Sequence, residues 1–78
     1  MNAQDARNKI VGNSQLFKNI MEDIGTAVQN DKFEITLNNN EDFREWTPLG
    51  TAIVGELRTR GFKVWVNGYT YVTTISWA

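Results

Sequence analysis

The sequence predicts an α+β fold: N-terminal helices, then a β-α-β-β unit, giving a three-stranded mixed sheet with the helices packed on one face. Three observations carry this reading. Apolar residues in the first third recur at steps of three and four, the period of a helix with one buried face. The stretch 62–77 alternates apolar and polar residues around Asn67-Gly68, a strong hairpin signal because both residues tolerate the positive φ of a tight turn. Between these regions, Thr47-Pro48 opens a further amphipathic segment that stops at Gly61.

At the N-terminus, Ala6 and Ile10 begin the apolar stripe, and Phe17, Ile20, Met21, Ile24 and Val28 continue it. Gly12-Asn13-Ser14 interrupts it. Ser14 suits an N-cap, so a short helix is followed by a kink or restart and a longer helix to about Gln29. Lys18 and Glu22 stand four apart on the polar face as a weak helical pair. Asn30-Asp31 ends the helix. Phe33-Glu34-Ile35-Thr36-Leu37 then alternates as a half-buried strand does. A polar loop through Asn38-Asn39-Asn40 leads to 41–46, which reads as a helical turn or as irregular chain.

Thr47 is a good N-cap, and Pro48 at the first helical position loses no needed hydrogen bond. Leu49, Ala52, Ile53, Glu56, Leu57 and Arg60 follow at helical spacing, the apolar members forming the buried face. Gly50 and Gly55 weaken this helix by up to ~1 kcal/mol each relative to Ala, or else permit close packing on the sheet. Arg58 and Arg60 occupy the last turn, where the helix dipole favours cations, and Gly61 is a natural stop.

In the hairpin, Phe62, Val64 and Val66 share a face with Tyr69, Tyr71, Thr73, Ile75 and Trp77. Lys63 and Trp65 share the other with Thr70, Val72, Thr74 and Ser76. A two-residue and a four-residue loop give the same split. A slip of one residue would bury Lys63 and expose Phe62. The strand–helix–strand crossover predicts that the first two strands run parallel through a right-handed connection. The third strand is antiparallel to the second. Its Thr, Val and Ile content suits a central position and spatial order 1-3-2, with 1-2-3 as the alternative.

Seventy-eight residues make one small domain, 1–78, with a helical region over about 3–29 and the β-α-β-β region over about 32–77. A chain of this size buries a little over ~60% of its unfolded surface, and small folds often add disulfides, a metal or a partner subunit. With no Cys and no His, disulfides and the usual zinc ligands are missing. Glu41-Asp42 lacks the spacing of a calcium loop. No cofactor is expected, which leaves a well-packed monomer or an oligomer. Met1–Asp5 is polar and acidic, unlike a signal peptide. No apolar run approaches the ~20 residues of a membrane helix, so a soluble, intracellular chain without a membrane partner is expected. A net charge of −1 argues against a strongly electrostatic nucleic-acid binder.

Three segments are candidates for function. Arg58, Arg60, Lys63 and Trp65 interleave basic and aromatic residues, as nucleic-acid surfaces do. They also echo the Arg-Gly-Phe opening of the RNA-recognition motif, but Lys63 and Val64 break that motif and the order of elements differs. The plainer account is a helix end, its glycine cap and a strand start. Trp65 points away from the core face beside Val72, where it would receive a partner or merely stiffen the hairpin. Phe43 and Trp46, flanking Arg44 and Glu45, form a recognition loop or close the core. Catalysis is not expected. The commonest general base and the best intrinsic nucleophile are absent, no two acids are spaced across a cleft, and there is no Gly-rich phosphate loop.

Nearly the whole chain resembles a loose group of small, mostly uncharacterised proteins of tailed bacteriophages, myovirus- and cyanophage-like. The shared features are an opening Ala3-Gln4-Asp5-Ala6-Arg7, an Ile-rich stripe from Ile20 to Val28, Leu57 followed by Gly61-Phe62-Lys63-Val64, and a closing Thr73-Thr74-Ile75-Ser76-Trp77. The Phe43–Trp46 loop and Tyr69-Thr70-Tyr71 depart from it. The resemblance implies a viral origin, in the host cytoplasm or as a virion component, and brings no catalytic or binding residues with it. The leading expectation is a non-enzymatic phage protein acting by protein–protein contact, with itself or with another phage or host protein, through Trp65, Val72, Phe43 and Trp46. The alternatives are a nucleic-acid accessory protein using Arg58, Arg60, Lys63 and Trp65, which is less favoured, and an oligomer that sequesters a small ligand.

Overall fold

The structure, a computed structural model, describes residues 1–37, 47–67 and 72–78. The chain runs α1 (Ala3–Asn13), α2 (Gln15–Gln29), β1 (Glu34–Leu37), α3 (Pro48–Thr59), β2 (Lys63–Asn67) and β3 (Val72–Ser76). This is the expected α+β order. Residues 41–46 and Tyr69–Tyr71, with the readings placed on them, lie outside the described residues.

Each helix begins and ends where its local chemistry directs. Asn2 and Asp5 form a reciprocal capping box at the start of α1: the Asn2 side chain accepts from the Asp5 N–H at 2.8 Å, and the Asp5 carboxylate accepts from the Asn2 N–H at 3.3 Å. Ser14 is extended, at φ −71° and ψ 126°, and its hydroxyl oxygen accepts from the Phe17 N–H, so the helix restarts there as expected. Thr47 caps α3 by accepting from the Gly50 N–H at 3.0 Å, with Pro48 beside it.

The C-terminal ends of α2 and α3 share one device. Asp31 (φ 59°) and Gly61 (φ 93°) each take the left-handed conformation just past the helix. Lys32 N–H then donates to Ala27 O, and Phe62 N–H to Leu57 O. Asp31 N–H donates to Val28 O, and Gly61 N–H to Arg58 O. These paired bonds satisfy helix-end carbonyls and turn the chain directly into β1 and β2.

The sheet order is β1-β3-β2, the favoured expectation, and every pairing is antiparallel. The expected mixed sheet is corrected. β1 and β2 do run the same way, but β3 lies between them, so they never pair with each other. The register places Ile35, Ile75 and Val64 in one row across the sheet and Leu37, Thr73 and Val66 in the next. A further backbone bond, from the Trp77 N–H to Phe33 O at 3.0 Å, extends the β1 pairing. Within the described residues the hairpin pairing runs to Asn67 with Val72, a register that does not centre the turn on Asn67-Gly68 as that dipeptide signals. The parity of the faces is the one expected for either loop.

The core lies between the sheet and the helices. Phe17, Ile20 and Ile24 of α2, Ile53, Val54 and Leu57 of α3, and Val64 and Ile75 of the sheet form one buried cluster with Val11. Helix α2 packs on β1 and α3 on β2, while α1 packs mainly against the other two helices. Phe62 and Trp77 meet edge to face at 6.1 Å on the core side.

Four details of the expected core change. Ile10 and Val28 are exposed, and Val11 and Ala27 are buried in their place. The stripe carries one set of steps across the expected restart, whereas the extended residue Ser14 resets the phase between α1 and α2. At the end of α2, residues 27 and 28 both fit a 3.6-residue period, and the turn back to β1 selects Ala27. Phe33 is also exposed, one residue before β1 begins. Finally, Gly55 does not approach the sheet: it is exposed, and a Cβ there would meet nothing within 4 Å.

Leu57 is fully buried, and Leu57→Ala should cost ~2–5 kcal/mol, much of the roughly 4–12 kcal/mol available to a domain of this length. A circular-dichroism melt should show most cooperativity lost near ambient temperature. Two glycine substitutions should act in opposite directions. Gly55→Ala should gain up to ~1 kcal/mol of helix propensity, and Gly61→Ala should lose ~1–2 kcal/mol by forcing a side chain into a left-handed conformation. At ~4–8 °C per kcal/mol, both shifts are measurable as thermal midpoints.

Candidate functional site: the open face of the sheet

Strand alternation sends every second residue away from the helices. The resulting outer face has three rows. Glu34, Ser76 and Lys63 form the first; Thr36, Thr74 and Trp65 form the second; Val72 and Asn67 begin the third. No described helix or strand covers this face, although Ser76 in its first row is buried and its hydroxyl accepts from the Ala78 N–H at 3.3 Å. Glu34, Thr36, Lys63 and Asn67 are exposed. Trp65 is 55% exposed, unusual for the largest apolar side chain. The central strand carries only short side chains here, Val72, Thr74 and Ser76, while the long ones stand on the two edge strands.

The charges of the first row are separated by β3. Glu34 and Lys63 stand two strand spacings apart, roughly 9–10 Å, and neither has a salt-bridge partner among the described residues. The face therefore presents one anion, one cation and one indole on a Thr- and Ser-rich floor.

The structure divides the basic and aromatic residues of 58–65 between different surfaces. Lys63 and Trp65 lie on the outer face. Arg60 turns to the helical side, where its Nε pairs with Glu56 Oε1 at 2.9 Å and its guanidinium stands 5.3 Å from the Phe17 ring centroid. Arg58 donates from Nη2 to Val64 O at 3.0 Å. Through that bond Arg58 occupies a carbonyl of edge strand β2, which blunts the edge against further strand addition. Sequence spacing alone did not reveal this role, because the helix end and the strand are joined by the turn at Gly61.

Of the expected contact residues, Trp65 is exposed and Val72 is half-buried on the same face. Phe43 and Trp46 lie outside the described residues. Residues missed by the sequence reading are Glu34 and Thr36. Their place in the Trp65 rows depends on β3 pairing with both neighbours, which no local pattern encodes.

Two open grooves border the helices, the second of them reaching Glu34, Thr36 and Ser76 of this face. One, of about 740 Å³, runs between α1 and α3 past Ile10, Leu49, Ala52 and Gly55. The other, of about 800 Å³, follows α2 and the outer edge of β1 past Asp23, Asn30 and Phe33. Neither gathers a catalytic constellation, and among the described residues no three acids come together as metal ligands. No helix among the described residues is long and apolar enough to cross a membrane.

Comparison with known protein families, curated proteins and solved structures finds no match to this chain. Its functional reading therefore rests on its own sequence and geometry.

Removing the edge cap tests the assignment of Arg58. Arg58→Ala should cost ~1–2 kcal/mol, the range for a hydrogen bond to a charged group, seen as a lower denaturant midpoint. The same variant should exchange β2 amide protons faster than wild type.

Proposed function

We propose that this is a small, non-enzymatic phage protein that works by protein–protein contact through the open face of its sheet. The observation that carries the reading is Trp65, more than half exposed beside two short-chained threonines on an uncovered face. Aromatic residues on such surfaces are the usual anchors of interfaces. An exposed ring half is worth about 2–3 kcal/mol when buried, from roughly 100 Å² of apolar surface at 25 cal/mol/Å². The phage origin, with a place in the host cytoplasm or the virion, is supported by the sequence resemblance over Leu57–Val64 and Thr73–Trp77.

Light scattering over a concentration series tests the contact face. Trp65→Ala should keep the circular-dichroism spectrum and melting point of the wild type while weakening association at least ~10-fold. An association curve identical for wild type and Trp65→Ala would argue against this face.

A further inference from the structure

The open face is complementary to itself. Building on the contact reading above, we propose that its partner is a second copy of this chain, laid face to face about a two-fold axis that runs along β3. Such an axis exchanges the two edges of the sheet: β1 of one copy lies over β2 of the other, and β3 lies over β3. Because Glu34, Ser76 and Lys63 share one row, this operation sets Glu34 opposite Lys63 of the second copy, twice by symmetry. Thr36, Thr74 and Trp65 share the next row, so each Trp65 meets the small Thr36 of the other copy. The short, half-buried Thr74 faces its own equivalent along the axis and allows close approach, while Ser76 lies buried below it.

The dimensions fit. Facing sheets pack ~10 Å apart, a gap that Lys and Glu side chains span together, and Trp against Thr fills it without collision. Aligned sheets cross at about 30°, which displaces the edge rows by only ~2.5 Å from perfect superposition. That is within the reach of a flexible lysine.

The other face-to-face two-fold runs across the strands. With the axis between the two rows, it sets Glu34 over Thr36 and Lys63 against Trp65. Both carboxylates would then be covered without a countercharge, which is strongly unfavourable. Charge pairing selects the axis along β3. The described face is only three strands wide, smaller than a standard stable interface. The dimer is therefore reversible and forms in the micromolar range or above.

Charge reversal tests this geometry specifically, in the full-length chain. Glu34→Lys and Lys63→Glu each place like charges together twice. Each variant should self-associate at least ~10-fold more weakly than wild type at low salt, with the melting point of the monomer unchanged. The two variants mixed should form a heterodimer, since every facing pair is then opposite in sign, and the double variant E34K/K63E should recover wild-type association. Sedimentation velocity with one variant fluorescently labelled reads all three. Single variants that associate as wild type does, or a mixture that stays monomeric, would overturn the two-fold. If Trp65→Ala weakens association while both reversals leave it untouched, this inference fails and the contact-face reading stands. A wild-type chain monomeric at millimolar concentration overturns the second copy as partner.

Discussion

β1 and β2 never touch; both are held through β3. That single constraint organises the molecule. Antiparallel pairing on both sides of β3 sets two registers at once, and each register assigns a parity. The parities agree, so Ile35, Ile75 and Val64 fall on one face and Glu34, Ser76 and Lys63 on the other. Were either pairing shifted by one residue, apolar and polar side chains would mix on both faces and the helices would have no surface to bury. Ile75, at the crossing of both registers, is fully buried.

The helix ends deliver the strands into that arrangement. Paired 6→1 and 5→2 bonds at Ala27–Lys32 and Leu57–Phe62 satisfy the last carbonyls and leave a single residue in left-handed conformation at each turn. The chain is thereby redirected within two residues of each helix. Arg58 then reaches across the second turn to a carbonyl on β2, so the same short segment ends a helix, starts a strand and protects its edge.

A layer of helices on one side leaves the opposite side of the sheet without a covering layer: among the described residues no further helix or strand covers it. The outer residues of the two edge strands are therefore exposed by topology rather than by polarity, which is why a tryptophan stands there among threonines, while those of β3 are half-buried or, at Ser76, buried. The contrast between short central side chains and long flanking ones gives the face a shallow relief that a like surface can match.

Much of the fold was legible in the sequence. The helix restart at Ser14, the cap at Thr47-Pro48, the stops at Asn30-Asp31 and Gly61 and the two-faced hairpin all depend on backbone chemistry within five or six residues, and local pattern expresses it directly. Trp65 and Val72 could be assigned to one face for the same reason, since alternation needs only the parity of the strand. What the tertiary structure alone decided lies across longer distances. It replaced Ile10 and Val28 with Val11 and Ala27 in the core, because a helix position is buried only where a neighbour meets it. It made the sheet wholly antiparallel by placing β3 between two parallel-running strands. It brought Glu34 and Thr36, each twenty-nine residues away in sequence, into rows with Lys63 and Trp65, because hydrogen-bond register between strands is set by the packing of the whole sheet against its helices.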